Sequence, residues 1–360
     1  MSKKVVIRAD ASLQMGTGHI MRCLTLAEAL KKQGEDVEFI CREHEGHLIE
    51  RIERQGFKVH VLPLSQNTAI DDGLYGSQWL GANQQEDAAL CLPILEKMKP
   101  DWLIVDHYSL DETWQSLLAE HFAKLMVIDD LANRKHQCDI LLDQTYGRKE
   151  SDYAGLVPKR SQRLLGSEYA LLRAEFSEWR EYSLQRRIKP SFKKLLITMG
   201  GVDPDNVTGE LFDALKGCFL PKELEIDVVM GATAPHLKKI QQQAELLPYK
   251  TSVMVNVSNM AEIMANADLA IGAAGATTWE RCCLGLPSIL VVLADNQKDI
   301  ADFLTQKQAA IVISKNEMSN ELKLLKGMSA TSLLNLSKNT RQITDGKGIL
   351  RVSKVMLAGN

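Results

Sequence analysis

The chain has 360 residues, of which 45% are hydrophobic and 25% charged, with a formal net charge of −3. That is length enough for two domains with their own cores, in the composition of a soluble globular protein, and the charge balance disfavours a polyanion-binding surface and hence nucleic acid. No apolar run is long enough to cross a bilayer, and the run after Lys3-Lys4 is too short for a signal peptide before Arg8 and Asp10 intervene, so a cytoplasmic protein without stable membrane association is expected.

A short β run at residues 5–7 leads through Arg8-Ala9-Asp10 towards a glycine-bearing loop, Gly16-Thr17-Gly18-His19-Ile20-Met21-Arg22. A helix opens at or near His19, because Ile20, Leu24, Ala27 and Leu30 recur near helical spacing; Gly34 closes it. Gly16 and Gly18 let backbone N–H groups approach an anion, and a helix N-terminus favours negative charge. Met21 stands where a dinucleotide fingerprint has its third glycine, so no NAD site is read. On this motif alone, His19 is equally a catalytic base and a capping or hydrogen-bonded residue.

Strand-like runs follow at 37–41, 59–62, 102–106, 125–129 and 140–142, with helical stretches between them such as 48–55. This alternation predicts βαβ units and a mainly parallel sheet. Residues 65–87 read as a loop followed by a helix. His44 and His47 have a spacing that metal ligands use, but their polar surroundings predict a solvated loop or helix start. Asp106-His107 and Asp129-Asp130 fall at strand ends facing the presumed cleft, the second pair with loop structure as its default. The seven cysteines are odd in number and contain no C-x-x-C pair, which fits buried thiols in a reducing compartment rather than disulfides or a zinc site.

Residues 173–189 read as a charged helix ended by Pro190, after which runs at 194–199, 225–230, 252–255, 269–272 and 288–293 start a second α/β series. The expected fold is α/β, with two doubly wound, Rossmann-like domains facing a central cleft and ligands at the carboxyl ends of the strands. The expected boundaries are an N-terminal domain 1–172 carrying the catalytic base, a linker helix 173–190, a C-terminal nucleotide-binding domain 191–335, and a segment 336–360 that pattern does not place.

The second series carries three ligand signals. In Met199-Gly200-Gly201-Val202-Asp203-Pro204 a double glycine exposes backbone N–H groups, with Asp203 as N-cap and Pro204 as first helical residue. In Gly275-Ala276-Thr277-Thr278-Trp279-Glu280, small residues would let a diphosphate rest on a helix N-terminus. Glu280 there either accepts the vicinal hydroxyls of a ribose or completes a capping box with Thr277. Asn296 and Gln297 follow a buried strand, where their amides either donate to phosphate or sugar oxygens or make an ordinary turn.

Together with Asp106-His107-Tyr108, Ile128-Asp129-Asp130 and Cys138-Asp139-Ile140-Leu141-Leu142-Asp143-Gln144, these motifs resemble the UDP-sugar hydrolases of pseudaminic acid biosynthesis, the PseG family, related to spore-coat polysaccharide proteins. They run in order from near residue 8 to about residue 300. The resemblance implies a two-domain GT-B fold like that of the MurG glycosyltransferase. It implies metal-independent, cofactor-free hydrolysis of UDP-2,4-diacetamido-2,4,6-trideoxy-β-L-altropyranose at the anomeric C–O bond, with UDP as product. His19 matches the family's catalytic histidine, and Tyr108 and Asn296 match residues that orient sugar and water. Glu280 matches the ribose carboxylate of MurG-like enzymes, and the preceding glycine and threonine residues lie on the diphosphate. Gly16, Gly18, Arg22, Gly200, Gly201, Gly275, Ala276, Thr277, Thr278 and Gln297 complete the expected substrate and UDP contacts.

The chemistry is consistent with one base. Ordinary glycosides need an acid to protonate a poor leaving group, whereas UDP leaves readily. A histidine at a helix N-terminus is favoured as neutral imidazole and can activate water, while amides stabilise the departing diphosphate. Asp10 is equally an orienting residue and a turn cap. Two other readings stay open: a GT-B glycosyltransferase that passes the sugar of a UDP-sugar donor to an acceptor, and a non-catalytic nucleotide-sugar-binding protein. Oligomeric state is not read from the sequence.

Overall fold

A computed structural model describes residues 2–65, 76–218 and 220–358. The chain forms two compact units, one of Met1–Leu171 with Gly348–Asn360 and one of Leu172–Lys347.

In the first unit, strands β1 (Lys4–Ala9), β2 (Asp36–Arg42), β3 (Lys58–Leu62), β4 (Trp102–Asp106), β5 (Lys124–Ile128), β6 (Ile140–Asp143) and β7 (Gln162–Leu165) make one parallel sheet in the order β3-β2-β1-β4-β5-β6-β7. Helices α1 (Gly18–Lys32), α2 (Ile49–Arg54), α3 (Gln84–Met98) and α4 (Glu112–Leu117) lie in the connections. The chain builds outwards from β1 through β2 to β3, then returns to β4 on the other side of β1. The β1–β4 pair is therefore the topological switch point, where open α/β sheets bind ligands. Successive strand residues alternate between two cores: Val5 and Ile7 pack with Leu24, Ala27 and Leu30 of α1, and Val6 with Cys91 and Leu95 of α3. Burial on both faces explains why these strands read as continuous apolar runs.

The second unit opens with α5 (Ala174–Arg186) and holds β8 (Lys194–Thr198), α6 (Val207–Lys216), β9 (Glu225–Met230), α7 (Leu237–Glu245), β10 (Lys250–Val255), α8 (Met260–Asn266), β11 (Leu269–Ala273), α9 (Thr277–Cys283), β12 (Ser288–Val291), α10 (Lys298–Gln306) and β13 (Ile311–Ile313). Its parallel sheet has the order β10-β9-β8-β11-β12-β13, so β8 and β11 flank a second switch point. Helices α11 (Met318–Glu321) and α12 (Ala330–Thr340) follow. Asp268 ties the unit together: its carboxylate accepts the Lys193 and Lys194 N–H groups at 2.8 and 2.9 Å and pairs with Arg186 of α5 at 2.5 Å.

Three local expectations change. Strands β7 and β13 do not stand out in the sequence, because β7 begins on Gln162-Arg163 and β13 has three residues. The helix after the double glycine begins at Val207, with Asn206 as N-cap in the left-handed region, rather than at Pro204. Asp203 still serves it from a distance, accepting the Val207 and Thr208 N–H groups at 2.9 Å each. The unplaced C-terminal stretch contains α12 and then α13 (Gly348–Ala358), which returns to the first unit and adds Ile349, Val352 and Met356 to the α1 core.

Gly348 is where α13 lands. A Cβ at this position would run into the Ala170 carbonyl oxygen and the Tyr169 backbone. Gly348→Ala should therefore lower stability by about 1–3 kcal/mol, read as a lower urea midpoint with an unchanged m-value.

Candidate functional site

The switch point of the first unit is built from the ends of β1, β4 and β5. Ala9 pairs with Asp106 in register, so the chain leaving β1 passes beside the carboxylate that ends β4. The loop then closes on itself, with Gly16 N–H donating to the Ser12 carbonyl at 2.8 Å and Met15 N–H to Ser12 Oγ at 2.9 Å. Gly16 makes this return possible with φ of +78°, and neither it nor Gly18 faces a neighbour where a Cβ would stand. Thr17 is the N-cap of α1 but makes no side-chain cap bond. His19 therefore sits in the first helical turn, beside Asp106.

His19 Nδ1 lies 2.6 Å from Asp106 Oδ1. Arg22, one turn along α1, grips the same carboxylate with Nε and Nη2 at 2.6 Å each and reaches Asp130 with Nη1 at 2.9 Å. Burial alone would raise the Asp106 pKa, but Arg22 and then His19 hold it far below the usual carboxylate range. An ionised carboxylate only accepts, so His19 Nδ1–H is the donor of this contact, and Nε2 is the ring nitrogen that Asp106 leaves unengaged. Tyr108, two residues beyond β4, donates its hydroxyl to Asp130 Oδ1 at 2.5 Å and meets the His19 ring edge-on at a centroid distance of 4.6 Å. Asp130 is likewise held below its ordinary range, chiefly by Arg22 against burial.

Two expectations are reassigned by this geometry. Arg22 was expected among the substrate contacts; its three guanidinium nitrogens are engaged by Asp106 and Asp130, where they brace the partner of His19. Asp10 was a candidate to orient His19; it is fully buried in a separate network, accepting Arg8 Nη1 and the Arg42 N–H at 2.6 Å each. His107 Nε2 and His44 Nε2 approach its other oxygen at 3.3 and 3.6 Å. His44 is thus buried rather than solvated. Asp87 of α3 completes the cluster, pairing with Arg8 and Arg42 at 2.7 Å each. Asp106 is the role that sequence reasoning left unassigned. Its position at the end of a buried strand next to β1 was visible; its partner was not.

In the second unit, Gly200 leaves β8 with φ of +99° and nothing within 4 Å of its missing Cβ. Gly201 is close-packed on the other side, its carbonyl accepting the Gly231 N–H at 2.9 Å. Beyond β11, Gly275 and Thr277 are half-buried and Ala276 is exposed, while Thr278 is buried beneath the turn. The N-cap of α9 is Ala276, without a side-chain cap bond, so Thr277 and Glu280 do not form a capping box. Glu280 lies 3.6 Å from Arg173 Nη2, and burial outweighs that cation, pushing its carboxyl up to about 7. Gln297 Oε1 accepts the Leu293 N–H at 3.0 Å, which leaves its amide nitrogen on the Gly275 side. Asn296 belongs to the short turn Asp295–Gln297, and its side chain lies outside the described residues.

All seven cysteines are free and buried. Among the described residues no helix is long and apolar enough to cross a membrane, and no group of three or more acidic, histidine or cysteine side chains is arranged to hold a metal ion.

The family model of the glycosyltransferase family 28 C-terminal domain matches residues 210–347. The chain is 30% identical over 305 residues to the UDP-2,4-diacetamido-2,4,6-trideoxy-beta-L-altropyranose hydrolase of Campylobacter jejuni, covering 84% of this chain and 97% of that protein. It is 26% identical to the spore coat polysaccharide biosynthesis protein SpsG of Bacillus subtilis, over 98% of this chain and 97% of the relative. The crystal structure of Acinetobacter baumannii MurG aligns with a TM-score of 0.70 at 18% identity, over 99% of both chains, which establishes the GT-B fold. The chain has the GT-B fold and a C-terminal region of the family 28 type, and it belongs to the same family as the Campylobacter jejuni hydrolase.

Proposed function

We propose that this protein hydrolyses UDP-2,4-diacetamido-2,4,6-trideoxy-β-L-altropyranose in pseudaminic acid biosynthesis, releasing UDP by attack of water at the anomeric carbon with inversion. The observation that carries the reading is the 2.6 Å contact of His19 Nδ1 with Asp106, in which the ring donates Nδ1–H to the carboxylate and Nε2 serves as the base. The hydrolase relative supports water as the acceptor and this sugar nucleotide as substrate.

In this reading His19 Nε2 takes a proton from water as the water oxygen bonds to the anomeric carbon. The bond from that carbon to the diphosphate oxygen breaks, and its electron pair leaves with UDP. Asp106 stabilises the imidazolium that forms, as the carboxylate of a hydrolytic triad does. Tyr108 packs the ring edge and fixes its tilt, and Arg22 keeps Asp106 ionised and in place. Asn296 orients sugar or water. Glu280 accepts the ribose hydroxyls, and Gly200, Gly201, Gly275, Ala276, Thr277 and the Gln297 amide receive the diphosphate. No step of this scheme calls for a metal.

The family 28 domain match favours a second reading, transfer of the sugar to an acceptor hydroxyl with His19 as the same base. A phosphorus NMR time course with the sugar nucleotide, EDTA and no acceptor separates the two. Release of UDP with the reducing sugar is expected; an intact sugar nucleotide alongside demonstrated binding would favour the transferase or a binding protein.

His19→Ala or His19→Leu should leave UDP affinity nearly intact and nearly abolish turnover; full activity in the purified variant would remove His19 as base. Asp106→Asn, which can present the wrong hydrogen-bonding partner to Nδ1, should lower kcat by on the order of a hundredfold or more with a smaller change in KM.

Glu280 gives a pH signature. Its carboxyl is protonated below about 7 in the free protein, whereas two ribose hydroxyls are best accepted by the carboxylate. Uridine affinity should therefore rise as pH increases through that value. Glu280→Gln should weaken binding and flatten the dependence, as read by calorimetry at several pH values.

A further inference from the structure

Arg187 and Arg8 serve the architecture of this protein with all their guanidinium nitrogens placed. Arg187 is buried, and it donates Nε to Leu284 O at 3.1 Å, Nη1 to Ala267 O at 2.7 Å and Nη2 to Met264 O at 2.9 Å. Arg8 is divided between Asp10 and Asp87. Arg281 on α9 differs. It is fully buried, yet only Nη2 is engaged, donating to Ala273 O at 2.6 Å and Thr278 Oγ1 at 3.0 Å. Nε and Nη1 have no hydrogen-bond partner.

Among the described residues no carboxylate pairs with this guanidinium. Its sequence neighbour Glu280 is itself held towards the neutral form, and burial without a counterion lowers the Arg281 pKa to about 10. An uncompensated buried cation is costly unless an anion comes to share its field. Its place indicates which anion. Nη1 lies against Gly272, where even a Cβ would collide with it, and Gly272 pairs in register with Thr198. The charge is therefore lodged under the switch point of the second unit, between the strands that lead into Gly200-Gly201 and Gly275-Ala276. The one engaged nitrogen spans the latter turn from Ala273 to Thr278.

We propose that Arg281 is a positioning residue for the diphosphate of the nucleotide, clamping the 274–277 turn and supplying fixed positive charge from beneath it. The inference rests on the reading of the second unit as the UDP site. The guanidinium makes no direct contact with the ligand; it acts through the turn and through space, in a medium where charge is poorly screened. As the anomeric bond breaks, the same charge favours the extra negative charge arriving on the departing diphosphate.

The test compares UDP with uridine, which lacks the phosphates, by calorimetry on the full chain. Arg281→Met, similar in length but neutral, should lose about tenfold or more in UDP affinity while uridine affinity changes less than about threefold. Arg281→Lys should restore most of the UDP preference. A purely structural role would lower both affinities together, and an unchanged UDP-to-uridine ratio in the Met variant would equally overturn the proposal. A measurement on the wild type covers the case in which the Met variant does not fold. A buried charge predicts a UDP preference that persists at high salt, whereas a preference that collapses would assign it to surface cations and overturn the proposal. A wild-type protein that binds neither ligand would overturn the nucleotide-site reading itself; one that binds both with a ratio unaffected at Arg281 would overturn only this inference.

Discussion

The arrangement of the first unit turns on one buried carboxylate. Asp106 ends the strand beside β1, and it is surrounded by the His19 ring and the fork of Arg22, both from the first two turns of α1. A fully buried anion without partners would be expelled or neutralised; the bidentate arginine keeps it charged, and its charge in turn fixes the histidine. Arg22 then reaches Asp130, and Asp130 holds Tyr108, which closes on the His19 ring. Two strand ends and one helix are thus coupled through alternating charges, so the orientation of a single imidazole is set by the sheet rather than by a loop. Rigid elements position reacting groups better than loops do.

The same plan, a parallel sheet whose order reverses beside its first strand, serves different chemistry in the second unit. There the strand ends carry glycines, small residues and amides in place of the histidine–carboxylate pair, and the buried cation Arg281 is set below the turn instead of beside a histidine. A fold does not dictate an activity; what differs is the side chains at the two strand ends.

Much of this was legible in the sequence. The long apolar runs of parallel strands are buried on both faces and announce themselves, which is why β4 and β9 fall where the pattern places them. Short or polar strands such as β7 and β13 lack that signal. His19 and Glu280 could be found because glycine-rich strand-to-helix turns are local in sequence. The partnership of His19 with Asp106 spans 87 positions and that of Arg8 with Asp87 spans 79, and no local pattern encodes either. Asp10 illustrates the cost: it stands next to the motif but turns away into the Arg8–Asp87 network, whereas a carboxylate far along the chain does the orienting. Asp203 illustrates a subtler case, in which the right residue caps the right helix from four positions before its start.

The return of α13 to the first unit also has a consequence for how the chain is made. The second unit is an insertion, entered after Leu171 and left at Lys347. During synthesis the α1 face of the first sheet stands without Ile349, Val352 and Met356 until α13 emerges, by which time all of the second unit has been translated. The first unit therefore begins folding before the second yet closes its α1 face only after the second has been translated.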